Sequence, residues 1–183
     1  MRVRPGDDAG VTLTELLIAC AIVPIVLAAA GALVVSSLRT DASVTDTTKA
    51  ASTTQLVSAS ITTAARQADW MSVSNSGTGQ LLQMRSASAA TTLSWTCRAW
   101  WIDGGRLYQK DSPSRITAPG ANTTGWSLVA SGVAANGTAP MFVYSAGSLA
   151  VNFTVSAGSQ KPILVSTVVS PRNTPGTSTQ CIV

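Results

Sequence analysis

The residue of this chain with the strongest chemical meaning is Glu15, which stands at the head of a run free of charge from Leu16 to Val35. A carboxylate at mid-bilayer depth costs about 2.5–3.5 kcal/mol on insertion scales, and such residues usually have a partner and a task. The other reactive side chains are few. Histidine is absent, which excludes Ser-His-Asp and Cys-His catalysis and every imidazole metal site. Cys20 falls inside the apolar run and leaves only Cys97 and Cys181, too few for a cysteine zinc site. Asp103 and Asp111 are oxygen donors of the kind calcium takes, but no EF-type loop surrounds them, and a turn role is the better reading of Asp103. Trp95, Trp100 and Trp101 form either a binding platform or, the reading preferred here, core and helix packing.

The text around Glu15 reads Gly10-Val11-Thr12-Leu13-Thr14-Glu15 and continues Leu-Leu-Ile-Ala-Cys-Ala-Ile-Val. It resembles the processing site of the type IV pilin family. In that family a short polar leader ends in glycine, a membrane peptidase cuts after it, the new amino terminus is N-methylated, and the fifth mature residue is glutamate. The resemblance implies cleavage between Gly10 and Val11, methylation of Val11 and an assembly role for Glu15. Val11 stands where the family usually has phenylalanine. Glycine suits a cleavage point, because a bare backbone lets a protease come close. The freed amine of Val11 would meet Glu15 of a neighbouring subunit and set its register. A carboxylate snorkelling near the headgroups without a partner is the alternative. The partners implied are other pilins or pseudopilins, the prepilin peptidase and a membrane assembly platform.

These residues need a helix to carry them. Leu16 to Val35 is about 20 residues long, enough to span a hydrocarbon core of about 30 Å. Arg2 and Arg4 in the leader mildly favour a cytoplasmic amino terminus. A secretory signal peptide competes, with Ala28-Ala29-Ala30-Gly31-Ala32 as its cleavage region, though Glu15 and Asp7-Asp8 argue against it. Pro24 removes the bond to the Cys20 carbonyl and should kink the helix. Beyond Ser36 no Pro or Gly interrupts the chain until Ala68, and Leu56, Ile61, Ala64, Ala65 and Ala68 supply one apolar stripe.

From Trp70 the pattern turns to strands. Gln80 to Arg85 is a first candidate, and Thr91 to Asp103 alternates Leu93, Trp95, Cys97, Ala99 and Trp101 on one face, as a half-buried strand does. Asp103-Gly104-Gly105 is a hairpin turn leading into Arg106 to Gln109. Met141 to Tyr144, Leu149 to Ser156 and Ile163 to Ser170 complete the set, the last two forming a second hairpin across Ser159 to Pro162, and residues 113–125 read as a loop. A long helix followed by a Gly-Arg-Leu-Tyr hairpin resembles the minor pseudopilin J and PilW-like minor pilin branch. In an exported domain Cys97 and Cys181 form a disulfide closing a loop of about 84 residues, or else remain a buried pair of thiols.

The expected class is α+β, a long amino-terminal helix on a small antiparallel sheet. Its segments are a leader (1–10), an assembly helix (11–37), an amphipathic continuation (38–69) and a β-rich head (70–183). The expected function is that of a non-enzymatic minor pilin or pseudopilin, membrane-inserted with an extracytoplasmic head and then built into an envelope filament. The alternative is a secreted or tethered β-rich binding domain using Trp100 and the 113–125 loop. No cofactor and no metal is expected. The net charge of +4 is thinly spread and gives no nucleic-acid surface.

Overall fold

The computed structural model describes residues 12–88, 94–158, 161–174, 176 and 178–182. It is an α+β architecture: one helix, α1 (Leu13–Gln67), then only antiparallel strands. The chain divides into two compact units at Val44/Thr45. In the first unit every described residue from Thr12 to Ala42 is exposed. Helical structure is unbroken through Pro24, although the Cys20 carbonyl has no N–H to accept there.

In the second unit α1 buries Ala50, Thr54, Val57, Ile61, Ala64 and Ala65. Steps of three and four keep those residues on one face. The stripe expected from the sequence is therefore corrected at two places. Leu56 is 70% exposed, because it lies a third of a turn away from the fully buried Val57. Ala68 belongs to strand β1 and pairs with Ser86.

Five strands form a meander in chain order: β1 (Ala68–Ser76), β2 (Gly79–Ser88), β3 (Ser94–Asp103), β4 (Arg106–Ser112) and β5 (Ser127–Ser131). A second sheet is centred on β8 (Ser148–Val155). On one side β8 pairs β6 (Val133–Ala135) and β7 (Phe142–Ser145) at different points along its length; it also pairs β9 (Ile163–Val169). The hairpin expected at Gly104-Gly105 is present, both glycines having positive φ as a type I′ turn requires. The β8–β9 hairpin is also present, while its turn residues Ser159 and Gln160, like Thr91 and Leu93 of the expected β3, lie outside the described residues. Strands β1, β5 and β6 were not foreseen.

The main core joins the α1 stripe to both sheets, with Trp100, Leu82, Phe142 and Phe153 at its centre. The two phenylalanine rings meet edge to face at 6.3 Å. The reverse face of the first sheet is also covered. There Leu81, Cys97, Ala99 and Trp101 pack with Ile116 and Cys181. The half-buried strand expected from Thr91 to Asp103 is, in its described part Ser94–Asp103, buried on both faces along Ala99–Ile102, because the segment after β4 and the tail fold over it. Gly79 makes this packing possible: a Cβ there would lie 2.3 Å from ring atoms of Trp101.

Candidate functional site

Gly10 and Val11 lie outside the described residues. Glu15 is exposed in the first turn of α1, where negative charge meets the positive end of the helix dipole. Thr12 caps that turn. Its carbonyl accepts from the Leu16 N–H at 3.1 Å, and its Oγ1 accepts from the Glu15 N–H at 3.3 Å. Thr12-x-x-Glu15 is therefore the Thr-x-x-Glu pattern of a capping box, a local role the sequence reading missed although the pattern was visible. No ion pair is made by the Glu15 carboxylate among the described residues.

Around this turn the helix displays side chains that water does not favour. Leu13 is 76% exposed and Ile25 68%, and the charge-free surface continues past Leu33. Contiguous apolar surface on this scale marks a membrane or protein contact. The helix is long and apolar enough to cross a membrane, a property it shares with signal sequences.

In the head, Cys97 and Cys181 are joined in a disulfide with Cα atoms 5.6 Å apart, as the first of the two alternatives expected. Such a bond fits an oxidising, extracytoplasmic compartment. Cys20 is free and exposed. Beside the disulfide lies a cluster absent from the sequence reading. Arg85, fully buried, donates from Nε to Asp69 Oδ1 at 2.9 Å and from a terminal nitrogen to Oδ2 at 2.6 Å. It also donates to the carbonyls of Gly176, Ser178 and Gln180 and lies 4.8 Å from the centre of the Trp95 ring. One guanidinium thus holds β1 and three carbonyls of the tail. Gly176 must be glycine here, since a Cβ would come within 2.6 Å of the Asp69 carboxylate.

The remaining candidates resolve into structural roles. Asp103 accepts from Thr78 Oγ1 at 2.7 Å beside its turn, whereas Asp111 pairs two-pronged with Arg98 directly across β3 and β4. Hydrogen bonding to Asp111 raises the Arg98 pKa against the opposing effect of burial, and Tyr108 raises that of Arg106. The described residues hold no group of metal ligands. Trp100 and Trp101 are buried on opposite faces of the sheet, so no three-tryptophan platform exists. The 113–125 loop is fastened too: Gln180 donates to the Pro113 carbonyl and Gln83 to that of Ile116. A depression of about 420 Å³ lies between α1 and the ends of β5 and β8. Lys49 is the charged residue of its lining, and the Asp46 carboxylate lies against Gly158 at its border.

No protein family matches this chain, and neither curated proteins nor solved structures give a match. What fold and site define is a class: an α+β protein whose amino-terminal helix is apolar enough for a membrane, bearing a disulfide-closed head.

Proposed function

We propose that the chain is a minor pilin or pseudopilin, a non-enzymatic subunit cut after Gly10, methylated at Val11 and built into a type IV pilus or secretion-type filament through its apolar helix. One observation carries the reading: an exposed helix surface, charge-free over about 20 residues, begins directly after Glu15, itself five residues beyond a glycine. Lipid covers such a surface before assembly and copies of the same helix cover it afterwards. In this mechanism the Val11 amine of one subunit meets Glu15 of its neighbour. The prepilin peptidase, other pilins and an assembly platform are the partners that go with it.

The test is the amino-terminal mass of the protein isolated from its native membrane. A methylated terminus at Val11 is expected, whereas one near Gly31 would make the helix a discarded signal and end the proposal. A second measurement separates assembly from capping. Glutamine also completes a capping box, so Glu15→Gln keeps the helix start and loses only the charge. Membrane insertion should be unchanged and filament incorporation lost, while incorporation at the wild-type level would remove the role given to Glu15.

A further inference from the structure

Strand β9 pairs with β8 along one side, from Val155↔Ile163 to Leu149↔Val169, without a bulge. Along its other side no hydrogen bond is made among the described residues. Proteins normally blunt such an edge with lysine, proline or a bulge. β9 reads Ile-Leu-Val-Ser-Thr-Val-Val and has none of them. Charge is confined to its flanks, with Lys161 and Pro162 just before the strand and Arg172 three residues after it. On the outer face Leu164 is 52% and Val168 71% exposed. Beside the strand runs a groove of about 420 Å³ whose α1 wall holds Gln55 and the short side chains of Ser58, Ala59 and Thr62. Thr54 also lines it, and the Thr54 hydroxyl is buried without a hydrogen-bond partner.

We infer that this edge is an interface for a second copy of the same chain, the two β9 strands pairing antiparallel about a two-fold axis through Ser166. The strand is close to palindromic about that residue. Leu164 falls opposite Val168, Ile163 opposite Val169, Val165 opposite Thr167 and Ser166 opposite itself. Every cross-strand pair within Ile163–Val169 then joins uncharged side chains that suit a sheet. The register also sets the second copy's Thr167 against Val165, which shares the groove with Thr54. Because each copy gives and receives the same edge, the pair is closed and does not grow into a fibre. This interface is independent of the filament reading.

Cross-linking of the full chain in detergent micelles tests it, with Cys20→Ser removing the exposed thiol. Ser166→Cys should yield a covalent dimer with a short thiol-to-thiol reagent. Leu164→Cys and Val168→Cys should each remain monomeric alone and cross-link when mixed. Both positions are exposed, so the fold tolerates these changes. Self-cross-linking of Leu164→Cys would show association through another surface and overturn the register, as would a Ser166→Cys chain that stays monomeric. Ser166→Lys opposes two ammonium groups on the axis and should abolish the Leu164→Cys and Val168→Cys mixed dimer; its persistence would likewise defeat the proposal.

Discussion

Arg85→Ala should lower the unfolding free energy of the head by about 3–5 kcal/mol, the range for breaking a buried ion pair by removing one partner. The size follows from what is left behind. Asp69, 7% exposed, would be left buried without its counter-ion, and the carbonyls of Gly176, Ser178 and Gln180 would lose their shared donor. Urea unfolding followed by tryptophan fluorescence reads this cleanly, because all five tryptophans lie at or beyond Trp70 and the apolar part of the helix contributes none. Replacing both members, Arg85→Met with Asp69→Leu, should cost much less than Arg85→Ala alone. A single variant as stable as the wild type would mean that water reaches the carboxylate and that the cluster is not closed.

Cys97→Ser with Cys181→Ser should cost roughly 4–5 kcal/mol, the chain-entropy value for a cross-link closing a loop of this length. The bond spans 84 positions of sequence. The same midpoint shift is expected when the wild-type head is unfolded with a reductant present. Combined with Arg85→Ala, the loss should fall short of the sum, since both fasten the 176–181 segment and releasing it twice is impossible. Strict additivity would show that the two contacts restrain separate pieces of chain.

The parts of the fold legible in the sequence were those with strong local chemistry. Gly104-Gly105 marked the β3–β4 hairpin, period-two alternation placed Cys97, Ala99 and Trp101 on one face, and β8 with β9 followed from the same rule. Where composition is flat the reading failed. In the Ala-, Ser- and Thr-rich half of α1, apolar contrast between faces is so small that Leu56 looked like core and Val57 did not. Strand β1 carries Asp69, an asparagine and three serines among its nine residues, so its own apolar alternation is weak. The Asp69–Arg85 pair has no motif at all, because its partners are joined by strand register and by carbonyls more than 90 residues away. At the amino-terminal site the reverse held. Glu15 drew attention by being out of place in apolar text, and that contrast obscured the ordinary cap that the Thr12 hydroxyl makes on the Glu15 N–H.

The fastening of the tail has a kinetic meaning as well. Strands β1 to β4 meet in chain order through short connections, so they can assemble early. The tail docks on them only after a long loop closes, which places its contacts on the native side of the folding barrier. Loss of Arg85 or of the disulfide should therefore steepen escape from the native state while leaving the rate of acquiring it nearly unchanged. In a denaturant chevron the unfolding limb alone would move. For a disulfide-closed head in an oxidising, extracytoplasmic compartment, this clasp then sets the lifetime of the folded state as well as its equilibrium population.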